Sequence, residues 1–462
     1  MKLATGFNWQ LFRAESSILL KLAFPILLAQ IALTGLGVID TIMSGWVGTD
    51  DLAAIGLGSN IMLPVFIFTT GILLAITPLV SNINGQSQTI EFKQQNIGLC
   101  IIHGLWLCVP LGAISFVILT NLDWLLDLLE LQPQVYQLTE DYLFYVAFGL
   151  PGIAFYQALR FFWEGLEKTL PTMWISFFAL LANIPLNYLF IYGLGPIEPM
   201  GAAGCGVATA IVMWLMLFIA IFYVSKSKQL SRYFASDNNR TLSVKEMRDI
   251  LKIGIPNSFA LLFEIGMFSF IALFIAVLGT TVIAAHQIAI SFTSVAFMVP
   301  FSLAMAITVR VGKNYGANQK TQTLNVIYTG FIWAFFIGTF LAFVSYFFRT
   351  EIVSLYSFDP LVIQLATTLL IFASMYQIFD AIQVSAAGAL RGFQDTKVTM
   401  FVTFVSYWII ALGLGYILTF TDSITDPRGV SGFWVGIVIG LFLAALLLTS
   451  RLRFVFNDAF KS

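Results

Sequence analysis

Charge is what this sequence has least of. Asp, Glu, Lys and Arg make up 10% of its 462 residues, where soluble domains carry about 25%. With 59% apolar residues, a water-soluble fold could not cover its surface with polar side chains. A cytosolic enzyme, a nucleic-acid binder and a disordered chain are therefore excluded. Cysteine is nearly missing: three residues in all, too few for a disulfide scaffold. Cys100 and Cys108 share one apolar stretch and stand roughly 12 Å apart along a helix, so they cannot pair within it. Together with Cys205 they read as small apolar packing residues. His103 and His286 have no Cys or carboxylate at metal-ligand spacing and read as satisfied histidines. No Walker A sequence is present, so ATP is not expected to drive the protein directly. No nucleophile has a base at recognisable spacing, and enzyme chemistry is not expected. The strict alternation of a membrane barrel is missing. So are a cleavable signal peptide and an acylation motif.

What is there is apolar runs. A helix of about 20 residues crosses a hydrocarbon core of about 30 Å. The runs predict twelve spans, near 17–45, 52–82, 96–120, 134–156, 166–192, 203–225, 250–278, 282–312, 322–348, 361–389, 397–420 and 431–452. Several are long enough to require tilt. Lys and Arg divide 21 to 2 between the two sets of connections. Basic loops stay in the cytoplasm, so both termini of this multi-pass membrane protein are expected inside.

The chain also repeats itself. A shift of 231 residues superposes Leu20-Lys21 on Leu251-Lys252 and Pro25 on Pro256. The same shift places Gly48-Thr49 on Gly279-Thr280, and Ala158-Leu159-Arg160 on Ala389-Leu390-Arg391. A shift of 228 aligns Tyr188 with Tyr416, Gly201 with Gly429 and Gly204 with Gly432. Matching Gly, Pro, Lys and Arg in register is far less probable by chance than matching Leu. The expected fold is an all-α polytopic membrane protein. Its twelve transmembrane helices form two six-helix lobes related by a pseudo-two-fold axis along the membrane normal. The lobes are 1–225 and 250–462, joined by a polar cytoplasmic linker at 226–249. This architecture favours a transporter whose substrate sits between the halves. Gly432, Gly436 and Gly440 form a four-residue ladder on the last span, a surface for close helix contact.

Three acids fall inside spans: Asp40, Glu264 and Asp380. A carboxylate in hydrocarbon costs about 3 kcal/mol or more. It must face a wet cavity, bind a cation or take up a proton. No Lys or Arg lies at comparable depth in the sequence, so all three are open to a mobile cation. Tyr376 is one helical turn before Asp380, on the same face. Phe268, one turn after Glu264, could offer its ring to a cation. Asn183 and Asn187 lie one turn apart and could reach Asp40 if the fifth span packs beside the first. They serve equally well as glue between helices. Pro25 shares a segment with Asp40, and a hinge there could respond to the charge.

The segments Val38-Ile39-Asp40-Thr41-Ile42-Met43-Ser44-Gly45, Asn183-Ile184-Pro185-Leu186-Asn187, Gly204-Cys205-Gly206-Val207-Ala208-Thr209-Ala210, Phe263-Glu264, Ala284-Ala285-His286-Gln287 and Tyr376-Gln377-Ile378-Phe379-Asp380 resemble the multidrug and toxic compound extrusion (MATE) family. The similarity is to its bacterial NorM branch and runs nearly the whole length. It implies a cation-coupled antiporter that exports amphiphilic organic cations, drugs and dyes, with Na⁺ favoured over H⁺. It places a Na⁺ site at Glu264 and Asp380, with Tyr376 and Phe268. In the first half it places a cation, proton or substrate site at Asp40, Asn183, Asn187 and Thr209. Gln287 would contact substrate, and Asp359 would attract cations at the outer mouth. No cofactor beyond Na⁺ or H⁺ is implied, and the protein is expected to act as a monomer in the bilayer with no nucleic-acid partner. The alternative is a flippase for lipid-linked oligosaccharides. That would need a large cationic groove for pyrophosphate, against the confinement of Lys and Arg to loops.

Overall fold

The computed structural model describes residues 9–235, 243–422 and 426–461. Residues 236–242 of the expected linker lie outside them. The first half runs through α1 (Trp9–Gly45), α2 (Thr49–Leu73), α3 (Ile76–Gly85), α4 (Ile90–Leu119), α5 (Asp123–Leu128), α6 (Pro133–Ala147), α7 (Gly149–Gly165), α8 (Leu170–Ile191) and α9 (Gly201–Lys226). The second runs through α10 (Val244–Ile275), α11 (Thr280–Gly316), α12 (Lys320–Phe347), α13 (Arg349–Ser354), α14 (Pro360–Gly392) and α15 (Thr396–Thr403). A π-helical segment, Phe404–Ala411, leads into α16 (Leu412–Phe420), and α17 (Val430–Ala459) closes the chain. In lipid every backbone N–H and C=O must be bonded within the protein, and helices do this locally. Among the described residues, eleven helical runs are long and apolar enough to cross a membrane, and α6 with α7 forms a bent pair that makes twelve.

That pair occupies the span expected at 134–156 and extends it to Gly165. The helices meet at Phe148 with a bend of 42°. Pro151 lacks the N–H that would bond the Ala147 carbonyl one turn back. Gly149 and Gly152 then let α7 close on α9. A Cβ on Gly149 would lie 2.8 Å from Ala210 Cα, and one on Gly152 would lie 2.9 Å from the Trp214 ring.

The chain divides into two compact units, Pro25–Ser258 and Met1–Phe24 with Phe259–Ser462. The division therefore falls inside α1 and α10, beside the repeat-related Pro25 and Pro256, rather than in the polar link at 226–249. Side-chain chemistry explains why. The start of α1 belongs to the second-half unit: Glu15 is paired with Arg310 at 2.7 and 2.9 Å, and Trp333 Nε1 donates to Ser16 Oγ at 3.0 Å. Leu19, Leu22 and Ala23 lie in a core with Leu303, Val326 and Leu452. The start of α10 belongs to the first-half unit in the same way. Asn257 Nδ2 donates to the Gly71 carbonyl at 2.9 Å, and Ser258 Oγ to the Phe68 carbonyl at 2.7 Å.

Within the second-half unit α14 packs against α11, α12 and α17. The glycine ladder of α17 faces α16 and the π-helical segment. A Cβ on Gly432 would meet the Leu418 backbone at 2.7 Å, and one on Gly440 the Ser406 carbonyl at 2.6 Å. At Gly436 the approach of the Ala411 carbonyl is closer still. Gly436→Ala is expected to destabilise the protein by about 1–3 kcal/mol through overpacking. Gly413→Ala, whose Cβ would meet nothing within 4 Å, is expected to be neutral or stabilising. Thermal melts of the two purified variants in detergent check the difference.

Candidate functional site

In the first-half unit four predicted residues meet. Asp40, on the C-terminal stretch of α1, is buried. Its Oδ1 accepts from Asn183 Nδ2 at 3.0 Å and from Asn187 Nδ2 at 2.6 Å. Its Oδ2 accepts from Thr209 Oγ1 at 3.0 Å. Asn187 Nδ2 also donates to Asn183 Oδ1 at 3.0 Å, which holds the two amides as one block on α8. Asn187 Oδ1 is buried and has no donor. α9 reaches this position because its N-terminal turns are small. A Cβ on Gly204 would lie 2.9 Å from Ile191 N, and one on Gly206 would lie 2.7 Å from the Tyr142 carbonyl. The N-terminal end of α9 is anchored by Asp51 Oδ1, which accepts from Ala202 N at 2.7 Å and complements the helix dipole. Cys205, one turn before Thr209, presents its thiol to Asp40. The sequence reading of Cys205 as plain packing missed this; its i, i+4 relation to Thr209 was the available signal.

In the second-half unit α14 carries Tyr376 and Asp380 on one face, both buried. Glu264, half-buried on α10, lies within electrostatic range of Asp380. The Gln383 amide faces Asp380, and its Oε1 has no partner. The Thr293 hydroxyl stands beside Tyr376, and the Tyr376 ring packs against Trp434 at 6.2 Å. Trp434 Nε1 donates to His286 Nδ1 at 3.3 Å, and His286 also bonds the Phe268 carbonyl. This histidine is held in the packing. Phe268 is half-buried against the same apolar core. His103 is likewise held: its Nδ1 is 2.7 Å from the Leu99 carbonyl, and its Nε2 accepts from Ser243 N at 2.9 Å.

Two predicted residues are exposed. Gln287 lies exposed on α11, next to buried His286. Asp359 is exposed and caps α14, its Oδ1 accepting from Leu361 N at 2.9 Å. This is an ordinary N-cap role. Pro25 is buried within α1, which continues through it.

The expectation that Lys and Arg keep to loops needs correction. Arg160, Arg310 and Arg391 are buried. Arg160 Nε bonds Glu164 Oε1 at 2.8 Å and its Nη2 bonds Gln30 Oε1 at 3.3 Å, while Thr172 adds a third donor to Glu164 at 2.9 Å. Arg391 contacts Met305 Sδ at 3.5 Å and lies within electrostatic range of Glu264. Hydropathy assigned these side chains to loops, but each lies within a helix: Arg160 on α7, Arg310 on α11 and Arg391 on α14. Among the described residues none of the three intramembrane carboxylates is in an ion pair. Sequence reasoning also missed Tyr407 on the π-helical segment. It is fully buried, its hydroxyl has no partner, and it lies within electrostatic range of Glu264 and Asp380.

Comparison with known proteins bears on both halves. The family model MatE matches residues 25–189 and 256–417. The two matches begin 231 residues apart and end 228 apart, the offsets of the internal repeat. The multidrug resistance protein NorM of Photobacterium profundum is 40% identical over 96% of this chain and 96% of that protein. The NorM of Aliivibrio fischeri is 38% identical over 96% and 95%. The crystal structure of a eukaryotic MATE transporter, AtDTX14, superposes with a TM-score of 0.84 at 21% identity, covering 98% and 99% of the two chains. An outward-facing multidrug resistance MATE transporter superposes at 0.86 with 20% identity, covering 98% of each. At those identities the superpositions establish the fold alone. With one family model on both halves and relatives at 38–40% identity along nearly its whole length, the chain belongs to the MatE family, the multidrug and toxic compound extrusion transporters.

Proposed function

We propose that this protein is a multidrug efflux antiporter that exports amphiphilic organic cations in exchange for Na⁺, by alternating exposure of its acidic sites to the two sides of a bacterial inner membrane. Both termini face the cytoplasm, as the distribution of Lys and Arg favours. The observation that carries the proposal is the set of three intramembrane carboxylates outside any described ion pair: Asp40 bonded by two amides and a hydroxyl, Asp380 facing the Gln383 amide, and Glu264 within electrostatic range of Asp380 and Arg391. A fixed anion so placed holds a cation by charge, and a drug cation and Na⁺ are alternative claimants. Occupancy by one then weakens the other, and by linkage the effect is reciprocal. The transmembrane Na⁺ gradient sets the direction of exchange, since affinity alone only shifts populations.

Na⁺ is preferred to H⁺ because the surroundings offer oxygen lone pairs. Asn187 Oδ1 and Gln383 Oε1 are buried acceptors without donors. A hard cation satisfies such atoms, whereas a proton needs a single base. Among the described residues no three His, Cys, Asp or Glu side chains cluster, so amide and hydroxyl oxygens have to complete any coordination. The flippase reading gains no support. Buried Arg160 and Arg310 are neutralised by Glu164 and Glu15, which leaves them unsuited to gripping a pyrophosphate.

Asp380→Asn and Glu264→Gln are each expected to cut Na⁺-driven ethidium efflux at least about tenfold, with unchanged protein in the membrane. Reconstituted vesicles with an imposed Na⁺ gradient at equal pH measure this; wild-type rates in both variants would remove the second-half site. Asp40→Asn is expected to lose efflux as well, and full activity would make that acid structural. In the wild type, an imposed pH gradient without Na⁺ is expected to drive no efflux. Full drive by protons would transfer the coupling role from Na⁺ to H⁺.

A further inference from the structure

We infer that the Tyr407 hydroxyl is a neutral oxygen ligand for the cation held by Glu264 and Asp380. The inference rests on the reading of those two acids as the coupling-ion site and adds a residue from a different helix. Its starting point is an unmet bond. Tyr407 is fully buried and its hydroxyl has no partner. Leaving a buried hydroxyl unbonded costs about 1–3 kcal/mol, so an orphan of this kind calls for an explanation. Its neighbours supply one. Both Glu264 and Asp380 lie within electrostatic range, and Gln383 Oε1, beside Asp380, is a second orphan. Two carboxylates and two unpartnered oxygens on α10, α14 and the π-helical segment thus share one electrostatic environment. A hard cation takes about six oxygens, with water able to fill the remainder.

The local backbone is arranged to hold Tyr407 there. It sits inside Phe404–Ala411, where the turn is widened by an extra residue. Such insertions cluster at functional sites because they re-aim a side chain. The next residue pins the segment: Trp408 Nε1 donates to the Phe263 carbonyl at 3.1 Å, one residue before Glu264. Gly266 gives the indole room, since a Cβ there would lie 3.1 Å from Trp408. Behind the segment the glycines of α17 admit its backbone at close range. The internal repeat adds a negative control. At the 228 offset Tyr407 corresponds to Ala179, and at the 231 offset to Ser176. In the first half the corresponding helix is a regular α8 with no π-helical segment. The phenol occurs in the half that carries the acid pair, while the first half has only the shorter Ser176 hydroxyl at the 231 offset.

The test is Tyr407→Phe, which keeps the ring and removes one oxygen. In vesicles the Na⁺ concentration for half-maximal ethidium efflux is expected to rise about tenfold, with the rate at saturating Na⁺ within about twofold of wild type. A second readout needs no transport. Na⁺ should raise the melting temperature of purified wild-type protein by binding the folded state, and the variant should need about tenfold more Na⁺ for the same rise. Without Na⁺ the variant should melt at the wild-type temperature or above, because no bond has been lost. An unchanged Na⁺ dependence in the variant, alongside loss of Na⁺-driven efflux in Asp380→Asn, overturns the role of Tyr407 and leaves the acid site standing. A variant that melts lower without Na⁺, with its Na⁺ dependence intact, overturns it as a structural hydroxyl. If Asp380→Asn keeps wild-type Na⁺ dependence, the acid site itself is overturned and the inference falls with it.

Discussion

Negative charge in a medium that cannot solvate it is the constraint on which this molecule turns. Each of the three intramembrane carboxylates costs about 3 kcal/mol on insertion scales, more without local water. The cheapest structural remedy is a permanent cation, as Arg160 and Glu164 illustrate in the same protein at 2.8 Å. Asp40 and Asp380 do not take that remedy, and Glu264 has Arg391 within electrostatic range without a described ion pair. Asp40 instead uses three donors from α8 and α9, each a neutral dipole. Such dipoles orient the carboxyl group without supplying an opposite charge.

The two halves share a scaffold and differ in chemistry. Asp380 corresponds at the 231 offset to Gly149, where α6 gives way to α7. Asp40 corresponds to Ile271 and Glu264 to Leu33. No acid site has a counterpart in the other half. The unbroken α14 carries an acid where the bent α6–α7 pair carries its break. Even the shared arginines differ: Arg160 is closed by the Glu164 on its own helix, while Asp395, in the position of Glu164, is taken by Arg451 at 2.7 Å. Arg391 contacts Met305 and lies within electrostatic range of Glu264.

Much of this was legible from residues alone, for physical reasons. Apolar runs must become helices in lipid, so the span pattern followed from hydropathy. Gly, Pro and charged residues in register exposed the repeat, and the close approach of Gly432, Gly436 and Gly440 follows from their spacing. The amide pair at Asn183 and Asn187 met Asp40 because residues one turn apart share a face. What sequence did not show depends on departures from regular geometry or on contacts distant in the chain. The bend at Phe148 needed both Pro151 and glycines facing α9. The widened turn that aims Tyr407 has no composition signature, since Phe404–Ala411 reads as one more apolar stretch. Asp359 drew attention by its charge and proved to be a helix cap.

The division of the chain through α1 and α10 bears on biosynthesis. The stretch that holds Glu15, Ser16 and Leu19 leaves the ribosome early, yet its hydrogen-bonding partners, Arg310 and Trp333, lie about three hundred residues downstream. At translation speeds of about 5–20 residues per second, that interval is on the order of tens of seconds. During it a nascent helix must wait in the bilayer with a carboxylate whose guanidinium has yet to be made. Severing the gene at the polar linker would leave each product with a helix end whose neighbours are encoded on the other.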